Sequence, residues 1–176
     1  MNLYVQWVSA NPLTSSAIQF AILGTLGEII SQMIRRKRVF FPFGPFEFLG
    51  KLIAWAVLGV VTKYGFVGIK GFVRALIAHH LLPDGFSAGI GWAFSVSLFV
   101  NILFGPQMML FHRVEDNIIM RRWDFTGLKS AWFTLIWFWI PAHTVTFSLP
   151  REYQIGFAAL WSIVLGVIMG ITTPKR

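Results

Sequence analysis

Five apolar stretches, each close to the length a bilayer requires, fill almost all of this 176-residue chain. They run from Leu13 to Ile34, Phe48 to Leu82, Phe86 to Phe111, Ser130 to Leu149 and Tyr153 to Thr172. A hydrocarbon core about 30 Å thick takes ~20 apolar residues per helix. Only 12% of residues are charged and the mean hydropathy is +0.66, so lipid rather than water is the expected solvent. The fold class expected is all-α: a polytopic membrane helical bundle with five transmembrane helices, alternatively four if one stretch lies flat or re-enters. One integral membrane domain covers residues 1–176.

The breaks between stretches carry the remaining information. An amphipathic prefix, Leu3 to Ala10, brings Tyr4 and Trp7 to the membrane interface. Asn11-Pro12 starts the first span, and Arg35-Arg36-Lys37-Arg38 ends it. Two prolines and a glycine between Val39 and Pro45 predict a loop on the membrane surface. The second stretch has 35 residues. As a helix it would reach about 52 Å, so it must tilt, kink or protrude. Gly105-Pro106 and Pro141 predict kinks in the third and fourth spans. Arg113 to Lys129 reads as a polar connector.

If every stretch crosses, one side collects Arg35, Arg36, Lys37, Arg38, Lys51, Arg113, Arg121, Arg122, Lys129, Lys175 and Arg176. The other side holds Arg151 and, near a span end, Arg74. That bias places the C-terminus on the cytoplasmic or matrix-like side. It also accounts for the net charge of +8 without nucleic acid. The absence of Cys excludes disulfides and thiol chemistry. No basic residue precedes Asn11, so no cleavable signal is expected.

Ionisable side chains at bilayer depth cost roughly 3 kcal/mol each and require partners or a wet cavity. Glu28 and Gln32 share one face of the first span at i, i+4. Lys63, Lys70 and Arg74 share one face of the second. Asn101 lies in the third span; His143 and Thr146 lie in the fourth, one turn apart. Together they read either as a polar path drawing anions or as helix–helix contacts, including a Glu28–Lys63 ion pair. Snorkelling is a third reading for Arg74. The basic groups Arg35, Arg36, Lys37, Arg38 and Arg121, Arg122, Lys129 are expected to meet anionic lipid or an acidic partner subunit. No nucleotide loop, nucleophile elbow or carboxylate pair is present. The chain is therefore not expected to be an enzyme, nor to bind a metal or redox cofactor.

Several of these residues form a pattern. Pro12-x-Thr14, then Gly27-Glu28-Ile29-Ile30-Ser31-Gln32, resembles the opening of the Mpv-seventeen / twenty-two-kilodalton peroxisomal membrane protein family, with Glu28 in place of the usual Asp. Pro106 fits that family's third-span proline. Trp139, Pro141, His143, Thr146-Phe147, Pro150 and Trp161-Ser162 resemble its C-terminal motifs, with His for Gln and Thr for Asn. The central Gly-Pro of the family is replaced by Thr62-Lys63. The resemblance implies a small organellar membrane protein, the mitochondrial inner membrane favoured over the peroxisomal or another organellar membrane, and a pore for ions or small solutes. The rival expectation is a non-catalytic accessory subunit of a larger membrane complex, such as a respiratory or ATP synthase assembly. A basic residue at a pore position would change a pore or fill it.

Overall fold

A computed structural model describes residues 2–172. The tail residues Lys175 and Arg176, counted above for topology, lie outside the described residues. All regular structure among the described residues is helical. The short helix α1 (Leu3–Ala10) leads into α2 (Pro12–Arg36), and α3 (Pro45–Ala78) follows after a loop. A 3-10 turn, Asp84–Phe86, precedes α4 (Gly89–Phe99) and α5 (Gly105–Ile119). Then come α6 (Leu128–Thr134), α7 (Ile140–Ser148) and α8 (Arg151–Thr172).

Helix ends follow local chemistry. Asn2 Oδ1 accepts the Tyr4 N–H at 3.0 Å and caps α1. Proline at its first turn starts α2, where a missing N–H costs nothing. Glu47 reaches back to the Gly44 N–H at 2.9 Å and caps α3. The C-termini of α2, α3 and α5 share one device. Lys37, His80 and Arg121 take left-handed φ of 52°, 55° and 49°. The next N–H in each case, from Arg38, Leu81 or Arg122, bonds a carbonyl five residues back.

Both proline kinks expected from the sequence are handled by π-helical turns. Val100–Phe104 precedes Pro106, and Leu135–Trp139 precedes Pro141. In each, the N–H just after the turn bonds five residues back: Gly105 to Val100 and Ile140 to Leu135. Proline clashes with the carbonyl one turn back and cannot bond it. The wider turn gives the proline ring room, and the helix continues past the bond that proline cannot make. Helical structure thus runs unbroken from Gly89 to Ile119 and from Leu128 to Ser148. The connector expected over residues 113–129 shrinks to 120–127.

The second apolar stretch forms one unbroken helix of 34 residues. Three helices among the described residues are long and apolar enough to cross a membrane: Pro12–Arg36, Pro45–Ala78 and Gly89–Ile119. The helical columns 128–148 and 151–172 are not among them, so the expected count of five crossings is reduced to three by this measure. Pro141, His143, Thr144 and Thr146 dilute the first of those columns.

Large apolar side chains cover the outside as well as the core, and small polar residues lie buried beside them. Ile18, Ile22, Ile53, Val57, Tyr64 and Val67 lie on the outside, while Ser15, Ser16, Ser97 and Thr146 are at most 1% exposed. Lipid supplies no hydrophobic drive between helices, so small residues and interhelical hydrogen bonds hold them together. α2 is central, packed between α3 and α8, and α4 packs on α7. Close approach depends on glycine: a Cβ on Gly27 would sit 3.2 Å from the Ile163 Cα, and one on Gly59 would press on the Ser16 carbonyl. Tyr4 makes specific contacts within the bundle. Its hydroxyl donates to Gln19 at 2.9 Å and its ring stacks on Tyr153 at 5.5 Å, tying α1 to α2 and α8.

Candidate functional site

The polar residues singled out above do not form one continuous line. They separate into three clusters along the bundle.

The first cluster holds Glu28, but not with Lys63. Glu28 Oε2 pairs with Lys51 Nζ at 2.7 Å, and Lys51 also meets Asp116 Oδ1 at 2.6 Å. Trp55 donates its indole N–H to Glu28 Oε1 at 2.7 Å. His112 lies 3.8 Å from Glu28 and 3.9 Å from Glu115, with its ring 4.6 Å from that of Trp55. The reason for the correction is depth. Glu28 lies eight residues before the end of α2, about 12 Å along the axis. Lys51 is six residues into α3, about 9 Å, whereas Lys63 is eighteen residues in, about 27 Å. In a helical hairpin only Lys51 is level with Glu28. Its place among the topology charges is corrected too, since it is only 3% exposed. Ligand atoms of Glu28, His112 and Asp116 lie within 4.8 Å of one another, a spacing a cation could use. The ammonium of Lys51, bonded to both carboxylates, occupies that role. Gln32, one turn beyond, is half-buried and outside this network.

The second cluster gathers Lys63, Lys70 and Arg74 from α3 with Arg151 and Gln154 from the first turn of α8. They line a cavity of about 140 Å³ walled by Phe66, Val67 and Ile155. Lys70 donates to Gln154 Oε1 and lies 5.2 Å over the Phe147 ring. Gln154 Nε2 is anchored on the Leu149 carbonyl at 2.8 Å. Arg74 stacks over Trp92 at 5.6 Å, at the edge of a neighbouring, more open cavity of about 380 Å³. The charges of Lys63, Arg151 and Arg74 all bear on Lys70. Among the described residues none of these four cations has a carboxylate within ion-pairing distance; Glu152 acts on Lys63 from further off.

The third cluster is the most deeply buried. Asn101 Nδ2 donates to the Ser97 carbonyl at 2.8 Å and to His143 Nδ1 at 3.2 Å. An amide N–H only donates, so Nδ1 accepts and the imidazole proton resides on Nε2. Thr146 Oγ1 donates to Ala142 and accepts the Trp161 indole N–H at 3.0 Å. Ser97 Oγ crosses to the Ile140 carbonyl at 2.7 Å, which also accepts Thr144 Oγ1 at 2.7 Å. His143 and Thr146 therefore face inward, at 8% and 0% exposure. They do not satisfy the carbonyl that Pro141 frees: His143 pairs with Asn101, and Thr146 donates to Ala142. Asn101 Oδ1 and Trp139 Nε1 find no partner among the described residues.

The second and third clusters adjoin. Phe66 lines the basic cavity and meets the His143 ring edge-on at 5.5 Å. Phe147 lies 4.7 Å from Phe66 and 5.9 Å from His143. Two phenyl rings thus separate a cationic vestibule from a polar node. The basic groups at the other end, Arg35 to Arg38, Arg121, Arg122 and Lys129, are exposed. Arg36 and Arg38 flank the Phe40 ring at 5.2 and 5.0 Å.

Sequence reading missed Lys51, Trp55, His112, Asp116, Arg151 and Gln154. Lys51 and Trp55 carry a usable signal, one turn apart at the depth of Glu28. Arg151 and Gln154 carry none, because only the packing of α8 brings them to α3. Comparison with family models, with curated proteins and with solved structures finds no match to this chain.

Proposed function

We propose that this chain is a small organellar membrane protein that crosses the bilayer five times and provides a path for small solutes, with the mitochondrial inner membrane as its favoured location. The resemblance to the Mpv-seventeen / twenty-two-kilodalton peroxisomal membrane protein family supports that assignment. The carrying observation is the uncompensated basic cavity backed, across Phe66 and Phe147, by the Asn101–His143 node. Cations without partners at membrane depth are costly unless a cavity or a passing anion serves them. Five crossings are supported by length. Residues 128–148 and 151–172, at 1.5 Å per residue, reach about 31 and 33 Å, close to the core of a bilayer. On that topology Arg35 to Arg38, Arg121, Arg122 and Lys129 share one face, where anionic lipid is the proposed partner.

Efflux from reconstituted liposomes, with solutes graded by size and charge, tests the path. Phe66→Ala and Phe147→Ala should raise the flux. No flux from the wild type or from either variant would sink the reading. Cysteines introduced near Asn2 and Arg176 should label from opposite sides; labelling from one side would remove the odd crossing count.

The rival reading, an accessory subunit of a larger membrane complex, draws on the same two rings, because a sealed vestibule suits a protein that does not conduct. Neutralising Arg35 to Arg38 separates the roles of that face. Loss of bound lipid with assembly intact favours the lipid site, whereas loss of co-purifying partners favours the subunit.

A further inference from the structure

The vestibule carries a more specific statement, which rests on the proposed path only for its location. We infer that the cavity between α3 and α8 is a binding site for a small, multiply charged oxyanion of the phosphate class. Four cations line it, and the carboxylate of Glu152 acts on Lys63 from beyond ion-pairing distance. Their geometry is fixed from two elements. Lys63, Lys70 and Arg74 follow one face of α3 at intervals of seven and four, and Arg151 comes from the start of α8. That helix has 22 residues, and the partial positive charge at its N-terminus adds to the four side chains.

Placing like charges together at the edge of a membrane opposes folding, yet none of the four has an ion-pair partner among the described residues. By contrast, Lys51 on the same helix holds two carboxylates. Of the three donors on the Lys70 ammonium, the amide of Gln154 takes one, leaving donors for a ligand. Gln154 is itself held by the Leu149 carbonyl, so Lys70 is positioned in advance. Arg74 and Arg151 supply planar forks suited to two oxygens of a tetrahedral anion. Phe66, Val67 and Ile155 form apolar walls that lower the local dielectric and strengthen each of these contacts. The cavity, about 140 Å³, admits an inorganic oxyanion or a phosphate headgroup.

Such a phosphate can arrive free or on a lipid, and the test separates the two. The full chain is purified in a zwitterionic detergent, and its unfolding midpoint is followed against inorganic phosphate and against chloride at matched ionic strength. In parallel, it is placed in nanodiscs of phosphatidylcholine with or without phosphatidylglycerol, and retained lipid is counted by native mass spectrometry. A saturable rise with phosphate and not with chloride identifies the free anion. Retention of phosphatidylglycerol without a phosphate response identifies the lipid headgroup. Either outcome supports the site provided that it weakens at least about tenfold in Arg74→Gln and Arg151→Gln, the loss of one charge-assisted contact. Both side chains are exposed, so these variants are expected to fold; Lys63→Gln serves as a third. Equal responses to phosphate and chloride with no lipid preference would overturn the inference, as would binding unchanged in all three variants. Phosphate binding without liposome flux would leave the site standing and remove only the path.

Discussion

Two ends of one helix, α3, hold lysines in opposite electrostatic states. Near the start, Lys51 sits between Glu28 and Asp116 with the Trp55 indole completing the carboxylate shell. Nearer the end, Lys63 and Lys70 join Arg74 and Arg151 around a cavity with no ion pair among the described residues. At the first end the chain itself supplies the counter-charge of the lysine; at the second no ion pair among the described residues does so. Buried charge alone therefore does not mark a functional site in a membrane bundle. Whether the chain itself supplies the counter-charge separates helix cement from a binding surface.

The largest effect should come from breaking the ion-paired end. Lys51→Met leaves two carboxylates, each about a fifth exposed, without their cation. Removing one partner of a buried ion pair costs about 3–5 kcal/mol, and partial exposure trims that to about 2–4 kcal/mol. Unfolding in detergent by heat or denaturant measures it, and a loss no greater than that of a surface substitution would erase the contrast between the two ends.

A double-mutant cycle sharpens the same comparison. Glu28→Gln with Lys51→Met should show a coupling of about 1 kcal/mol or more, as contacting charges do. Glu28→Gln with Lys63→Met should be additive within about 0.5 kcal/mol, because the two lie at different depths. Coupling in the second cycle would restore the pair expected from the sequence.

At the other end, loss of a cation should be nearly free. Arg74→Gln and Arg151→Gln are expected to shift stability by no more than about 0.5 kcal/mol in either direction without phosphate. A larger loss would mean that these residues hold the fold and that the vestibule is structural.

The smallest effect lies outside the membrane, in the loop 120–127. Hydrogen bonds from the Thr126 hydroxyl and N–H, with Arg122 nearby, hold the Asp124 carboxyl below the usual carboxylate range. A lowered folded value means that the turn gains order above the ordinary carboxylate range and loses it as pH falls through the lowered value. Amide protection over 120–127, relative to the intrinsic exchange rate at each pH, should fall in acid, and Asp124→Asn should abolish that dependence.

Much of this was legible in the residues, and the limits are physical. Apolar run lengths marked all five helical columns because lipid leaves the backbone no partner except itself. Pro106 and Pro141 marked the two places where the ladder must change, since a missing N–H is a local fact. That the change takes the form of a π-helical turn was not legible: a kink and a widened turn both relieve the same clash. The i, i+7, i+11 spacing of Lys63, Lys70 and Arg74 placed three cations on one face. Periodicity says which side chains align on one helix and nothing about what faces them. Hence Glu28 received the wrong lysine, and Arg151 was set aside as a topology charge.

The sequence by itself determined the solvent, the helices and the positions of the polar residues, because each depends on neighbours within about one helical turn. Tertiary structure alone decided their partners. Depth in the α2–α3 hairpin chose Lys51 for Glu28, the docking of α8 brought Arg151 and Gln154 to Lys70, and the α4–α7 contact joined Asn101 to His143. Those pairings span 23, 84 and 42 residues of chain; matching depth in the hairpin could flag the first, but no local pattern reaches across the other two.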